Sequence, residues 1–350
     1  MAQAARACCR AVRTMTTTRR ANEVTVPDPP PIAGLRFRRV DLDADVDGLV
    51  ALINTSSIVD GTEMAFSAEE VRHDLGHKSN FDIERDVVIA ELDGRVVGEV
   101  EVNVVIRGGV AVHSFVGWVH PDARRRGIGR SLAGWVERRS REVAATWPGT
   151  EAHELGAWVD SDGVDGLALL ESLGYRRVRY GFMMTRPLSE PIPEAPLPAG
   201  LVLRPVVEAD HRRIWEADTE AFRDHWDSPE RTEEHFQSWF TMPNLDTSLW
   251  RVAWDGDDVA GSVWALIFPE ENEKLGLGRG WLEHISVRRP WRKRGVATAL
   301  IAETLRMFRD MGLDEGALGV DAENPTGALR LYESLGFVRH RTGISFRKSI

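Results

Sequence analysis

The chain has 350 residues, 43% hydrophobic and 28% charged, the balance of a globular protein long enough for two average cores. A formal net charge of −10 argues against nucleic acid or an anionic membrane as a general partner, because both would reward the opposite sign. Cysteine occurs only at Cys8 and Cys9, which offers no disulfide framework, metal-ligand spacing or thiol nucleophile in the body of the chain and suits a reducing cytoplasm; no apolar run approaches the roughly 18 residues of a membrane span.

The first twenty residues contain no acid and are rich in Arg, Ala and Thr. They read either as an organelle-targeting peptide or as a tail with an internal start at Met15, and residues 1–33 are expected to be disordered. After prolines at 27 and 29–31, residues 35–40 alternate like a half-buried strand and 43–56 like an amphipathic helix. Ser67-Ala-Glu-Glu is a capping-box start. Strands follow at 87–92, 96–106 and 112–119, the first two joined by a tight turn at Asp93-Gly94. A basic glycine-containing turn, residues 120–129, opens a helix to about residue 145; a strand at 155–159, a helix at 164–173 and a strand at 175–184 complete the unit. Residues 187–198 are proline-rich and read as a linker.

The same programme then restarts. Strand 201–206, helices 210–222 and 232–240, strands 249–254, 259–267 and 281–287, a basic turn, helix 297–311, strand 317–320, helix 325–335 and strand 337–347 repeat the order of the first unit. Units at 34–188 and 200–350 are therefore expected, separated by residues 189–199. Lysine occurs only at Lys78, Lys274, Lys293 and Lys348, an arginine bias that suggests a GC-rich bacterial genome.

The turn Arg292-Lys293-Arg294-Gly295-Val296-Ala297-Thr298 follows a strand and opens a helix. Glycine lets backbone approach a ligand closely, and unpaired N–H groups with the helix dipole favour an anion there. A phosphate or diphosphate is the natural guest. There is neither a Walker loop nor a G-x-G-x-x-G fingerprint.

In Arg292, Gly295 and Ala297 this turn resembles the Arg/Gln-x-x-Gly-x-Gly/Ala signature of the GCN5-related N-acetyltransferases (GNAT). Asn324, Ala328, Leu331, Tyr332, Gly336 and Phe337 resemble that family's second signature. The resemblance implies an α/β (α+β) protein of two tandem GNAT folds, each a mixed, mostly antiparallel sheet flanked by helices. It implies acetyl-CoA as co-substrate and no metal, with the fourth strand splayed so that the backbone of Ile285 and Val287 pairs with the pantetheine arm, and an N–H near Ile285 polarises the thioester. Residues 292–298 and Asn324 would complete that site. The matching positions of the first half are Val119, Arg124, Arg126, Gly127, Ile128 and Gly129.

Tyr332 falls where the family's thiolate-protonating tyrosine lies; the alternative is an aromatic that only packs its helix. Glu283 is the candidate base, acting directly or through water, with His284 as the alternative. Strict alternation would put Glu283 on the face opposite Leu282 and His284. Some family members carry this glutamate two residues earlier, where the chain has Trp281. In the first half Tyr332 aligns with Leu170, Asn324 with Asp162 and Glu283 with Phe115, so chemistry is expected in the second half. The first half is expected to be structural, regulatory or substrate-shaping, and able still to hold coenzyme A. His225, Trp226 and Asp227, with Asp224, are candidates for an acceptor pocket, although Trp226 could equally plug a helix corner. The expected activity is N-acetylation of a small-molecule amine by a monomeric pseudo-dimer or a homodimer; a protein acetyltransferase and a non-catalytic acetyl-CoA sensor are the rivals.

Overall fold

A computed structural model describes residues 22–149, 151–223, 225–226, 228–324 and 327–350. The first half runs β1 (Leu35–Arg38), α1 (Leu42–Asp60), α2 (Ala68–Gly76), a single turn α3 (Ile83–Asp86), β2 (Val87–Leu92), β3 (Arg95–Arg107), β4 (Val110–Val119), α4 (Ile128–Thr146), β5 (Ala152–Asp160), α5 (Val164–Ser172) and β6 (Arg176–Pro187). The second runs β7 (Val202–Leu203), α6 (His211–Phe222), α7 (Glu233–Phe240), β8 (Arg251–Asp255), β9 (Asp258–Leu266), α8 (Pro269–Leu275), β10 (Arg279–Val287), α9 (Val296–Asp310), β11 (Glu315–Asp321), α10 (Ala328–Ser334) and β12 (Val338–Ser349).

Local chemistry accounts for the boundaries. Ser67 caps α2 through the Glu70 amide while Glu70 bonds back to Ser67, the reciprocal pair its spacing announces. Asp93 and Gly94 both have positive φ, as a two-residue hairpin turn requires. β7 is two residues rather than the expected six, because Pro205 removes a ladder donor. The sequence reading did not anticipate α3 and α8, which are too short to show a helical period.

All twelve strands among the described residues form one sheet in the order β1-β2-β3-β4-β5-β12-β6-β11-β10-β9-β8-β7. The last strand of each half lies between strands of the other. β12 pairs antiparallel with β5 and β6, and β6 pairs antiparallel with β11. Ile344 and Phe346 of β12 are buried in the first-half core, and Met184 of β6 in the second-half core. The sequence boundary near residue 189 is thus not a boundary of packing. On one side of the sheet α4 and α9 cover the cores; on the other, α1 and α2 pack one half and α6 and α7 the other.

The expectations of a disordered segment up to residue 33 and an open linker at 189–199 are corrected from residue 22 on. The Val24 N–H bonds the Phe37 carbonyl at 2.9 Å, Ser131 Oγ donates to the Asp28 carbonyl at 2.9 Å, and Val26 is buried. Arg138 of α4 holds the Thr25 carbonyl, and Arg306 of α9 holds that of Pro193 at 2.8 Å. Gly34 and Gly200 both turn the chain at positive φ into the first strand of their half. Each proline-rich stretch is a strap along a helix, stiff enough to lose little entropy on docking. The readings of residues 1–21 lie outside the described residues.

Candidate active site

β10 runs parallel to β11 over only three residues, Arg279–Trp281 against Glu315–Ala317. Beyond Trp281 the two strands part, so one edge of residues 282–287 is open to an added strand. β4 and β5 part in the same way after Ser114 and Gly156.

The other edge of β10 separates the halves. Its ladder with β9 slips between Leu282 and His284, making Glu283 the extra residue of a β-bulge. Leu282 is buried in the core beneath α9, whereas His284 stacks on Trp264, among the rings packed on α6. The expected placement of Leu282 and His284 on one face is therefore wrong, because an inserted residue resets the two-residue period. The β3–β4 ladder is regular from Gly98–Val119 to Arg107–Val110, with Phe115 opposite Val102. Leu282 stands opposite Ala265 in the same manner. Phe115 therefore corresponds to Leu282, and Glu283 has no first-half counterpart.

The two basic turns are nearly superposable in their dihedral pattern. Lys293 and Gly295 have φ of 59° and 87°, and Arg125 and Gly127 have 57° and 93°. Left-handed residues alternating with right-handed or extended ones turn successive N–H groups inward, the concavity that holds anions. Nothing lies within 4 Å of where a Cβ on Gly295 would sit, whereas one on Gly127 would meet Pro30 at 3.2 Å. Lys293 and Arg294 are exposed, as is Arg126; Val296 and Ile128 anchor their helices in the cores; Ala297, Thr298 and Gly129 lie half-buried on the first turns. Arg292 and Arg124 differ from expectation. Arg292 Nε donates to the Val287 carbonyl and Arg124 Nε to that of Val119, each at 2.9 Å. The Arg124 fork grips Asp60 at 2.5 and 2.9 Å, and Arg292 also reaches the Ala221 carbonyl at 3.0 Å. These two guanidiniums brace their turns, leaving backbone amides as the anion donors.

Tyr332 lies on α10 with its ring buried at 7% exposure and edge-on to Phe337 at 6.2 Å. Its hydroxyl has no hydrogen bond among the described residues, and burial pushes the phenol above its ordinary range. It is therefore a neutral donor. Glu283 has no hydrogen bond among the described residues either. It is open to solvent yet crowded by protein, and this crowding lifts its carboxyl above the usual range although His284 pulls the other way.

Phe222, whose ring lies 5.4 Å from His284, links β10 to the residues expected on the acceptor side. Asn324 Nδ2 and His225 Nε2 are 3.1 Å apart, and the His225 ring lies 4.8 Å from Phe222. Trp226 is 41% exposed and carries the Arg179 guanidinium 4.9 Å from its ring. Arg179 belongs to β6 of the first half and also grips Asp321 through both Nε and an Nη at 2.8 Å. Asp224 and Asp227 lie outside the described residues. Trp281 is engaged elsewhere, donating to Glu271 at 3.0 Å.

Sequence reasoning missed Asp218 and Arg231. Asp218 is fully buried on α6; it accepts from Arg231 at 2.5 Å and contacts His284 Nδ1 at 2.8 Å. Burial alone would raise its carboxyl, but His284 and Arg231 outweigh that and hold it below the ordinary range. The available signal was its spacing: an aspartate four residues after Ile214, on the apolar stripe of an amphipathic helix, is a buried charge that requires a partner.

Comparison with known proteins agrees with this geometry. The Acetyltransferase (GNAT) family matches residues 211–337, and a GNAT acetyltransferase domain matches residues 84–177. A mycothiol acetyltransferase of Salinispora arenicola is 35% identical over 239 residues, spanning 66% of this chain and 71% of that protein. The chain belongs to the GNAT family. It is a tandem GNAT protein, resembling mycothiol synthase in layout, and an acetyl-transferring enzyme. A GCN5-related N-acetyltransferase of Sphaerobacter thermophilus has a solved structure that superposes with a TM-score of 0.69 at 29% identity, covering 93% of this chain and 97% of that one. A tandem GNAT protein from the clavulanic acid biosynthesis pathway shares the fold, with a TM-score of 0.65 at 17% identity over 90% of this chain and 98% of that one. No helix of the described residues is long and apolar enough to cross a membrane.

Proposed function

We propose that the protein transfers the acetyl group of acetyl-CoA to the amine of a small molecule, directly, in its second half. The observation that carries this reading is the bulge at Glu283, present in β10 and absent from β4. Amides of residues 293–298 hold the diphosphate at the α9 N-terminus. The open edge at Ile285 and Val287 pairs with the pantetheine arm, and the Ile285 N–H polarises the thioester carbonyl. Glu283 receives the acceptor ammonium and its proton, directly or through a water, and Tyr332 protonates the leaving thiolate. His225, Trp226 and Asn324 line the acceptor side. The first half, lacking both Glu283 and Tyr332, shapes the acceptor cleft through Arg179 and completes the sheet.

The names of the mycothiol acetyltransferase relatives favour a small-molecule acceptor and their organisms a bacterial source; a cytoplasmic location, argued from the cysteine usage, belongs to the same proposal. Because Trp281 stands where some family members carry the glutamate, the acceptor itself is left open. The test is thiol release from acetyl-CoA against a panel of small amines, amino acids and peptides. Release with small amines is expected. Release with peptides alone would make the protein a protein acetyltransferase, and binding without release would make it a sensor.

A further inference from the structure

Next to Glu283 the site holds a second proton-handling group. The His284 imidazole stacks on Trp264 at 4.5 Å and 7°, and Trp239 closes the corner beside both rings, 4.9 Å from His284 and 5.3 Å from Trp264. Its Nδ1 is fixed 2.8 Å from Asp218 Oδ2, and Arg231, set against the faces of Trp215 and Phe222, donates to that same oxygen at 2.5 Å with its other Nη 3.4 Å from His284 Nδ1. An ionised carboxylate can only accept and a guanidinium only donate, and the Asp218 contact at 2.8 Å is much the shorter of the two at Nδ1, against 3.4 Å for Arg231; it places the imidazole proton on Nδ1 and leaves the lone pair on Nε2. Nε2 has no hydrogen-bond partner among the described residues and is not sealed from solvent. Asp218 Oδ1 is buried without a partner, an expense that packing does not explain and that recurs at functional sites. The first half has Val116 at the place of His284, opposite Glu101, with no such pair.

We infer that His284 is the final acceptor of the proton released by the amine, and that Asp218, clamped by Arg231, is the positioning residue that keeps Nε2 free to take it. This deepens the acetyl-transfer reading and rests on it. Glu283 binds the ammonium by charge. An N–H bond of the ammonium breaks, its proton passes directly or by way of Glu283 and water to Nε2, and the freed lone pair forms the C–N bond to the acetyl carbon. The C–S bond breaks with its electron pair on sulfur, which takes the Tyr332 proton; the second amine proton restores Tyr332, and His284 releases its proton to solvent after turnover. Charge and protons balance without any further reactant.

The test combines a spectroscopic and a kinetic arm on the full chain. Nitrogen-15 imidazole spectra of the resting protein should show His284 protonated on Nδ1 with a bare Nε2, and D218N should move the proton to Nε2, since an amide can donate to Nδ1. A wild-type His284 carrying its proton on Nε2 overturns the proposal whether or not an acceptor is known. With an acceptor in hand, D218N and H284Q should each lower kcat by about 10²-fold or more with little change in the KM for acetyl-CoA. H284A should regain activity on addition of imidazole, a rescue that does not depend on the stability of D218N. E283Q should chiefly raise the KM for the amine and keep the acidic limb of the pH profile, which H284Q should abolish. If E283Q removes that limb and H284Q keeps it, Glu283 acts alone and the proposal fails, while the transferase reading stands; if no amine elicits thiol release, it is the transferase reading that fails.

Discussion

Replacing Tyr332 by phenylalanine isolates one hydroxyl. That hydroxyl makes no hydrogen bond among the described residues, while its ring is buried against the second-half core. Tyr332→Phe keeps the ring and breaks no resting contact, so stability should change by less than about 1 kcal/mol. The kinetic cost is different in kind. General acids contribute about 10²–10⁴-fold, but a thiolate of ordinary pKa near 8.5 leaves without full protonation and water can reach the site, so a loss of about 10- to 10³-fold in kcat is expected. That is about 1.4–4 kcal/mol of transition-state stabilisation. The assay is continuous detection of free thiol at saturating acetyl-CoA, with the dissociation constant of acetyl-CoA measured separately. Because burial holds the phenol above its ordinary range, Tyr332 keeps its proton through the alkaline range, and no basic limb from this group should appear below about pH 10. Unchanged turnover would remove Tyr332 from the mechanism, and a weakened cofactor affinity with unchanged kcat would make it a binding residue only.

Other expectations follow from the packing. Glu63 joins the halves through Arg279 at 2.8 Å and His340 at 2.9 Å; burial raises its carboxyl, but those two donors outweigh this and hold it below the ordinary range. Its contribution is therefore present above the unfolded value near 4.5 and lost as pH falls through the folded one. Glu63→Gln should cost about 1–2 kcal/mol at pH 7 and flatten the acid side of the stability curve; equal curves for both proteins would argue against the link. Glu99 is buried with neither oxygen bonded among the described residues, and burial followed by the neighbouring Glu101 raises its carboxyl well above normal. Stability should decline as pH rises from about 4.5 toward the folded value, so Glu99→Gln should raise Tm, by more at pH 8 than at pH 5; a lower Tm at both would contradict this. Residues 22–188 and 189–350 expressed separately should fail to fold, because each surrenders a central strand, and should regain native circular dichroism only when mixed. A stable isolated half would refute the exchanged arrangement.

Much of this fold was legible because its signals are local. The capping box at Ser67, the Asp93-Gly94 turn and the glycines of the two basic turns each fix dihedrals within a few residues. The exchange of β6 and β12 was not legible, since the two halves repeat one order of elements and a strand pattern does not name its partner; only the three-dimensional connection decides. The proline-rich straps read as the end of a disordered tail and as a linker, because proline reports stiffness without reporting a partner. At the site, Tyr332 and Glu283 came from the resemblance, but the bulge did not, because one inserted residue leaves the composition of a strand unchanged. Arg292 and Arg124 were assigned to the cofactor through the resemblance and the basic character of the turns; their guanidiniums brace strand-end carbonyls, and that of Arg124 also grips Asp60.

The central claim is that the turn at residues 292–298 grips the diphosphate of an acyl carrier, and calorimetric titration of coenzyme A tests it most directly when wild type is compared with Gly295→Asp and Gly127→Asp. Aspartate tolerates the left-handed backbone better than most residues and the space beside Gly295 is open; the strain of a side chain at φ 87° is shared by Gly127 at 93°, so the added charge at Gly295 is judged against that control. A charge about 5 Å from one diphosphate charge costs about 3 kcal/mol at an effective dielectric near 20, more than a hundredfold in affinity. The account predicts uptake by wild type, retention of that site in Gly127→Asp and its loss in Gly295→Asp. No uptake by wild type, or equal affinity in all three proteins, would contradict it.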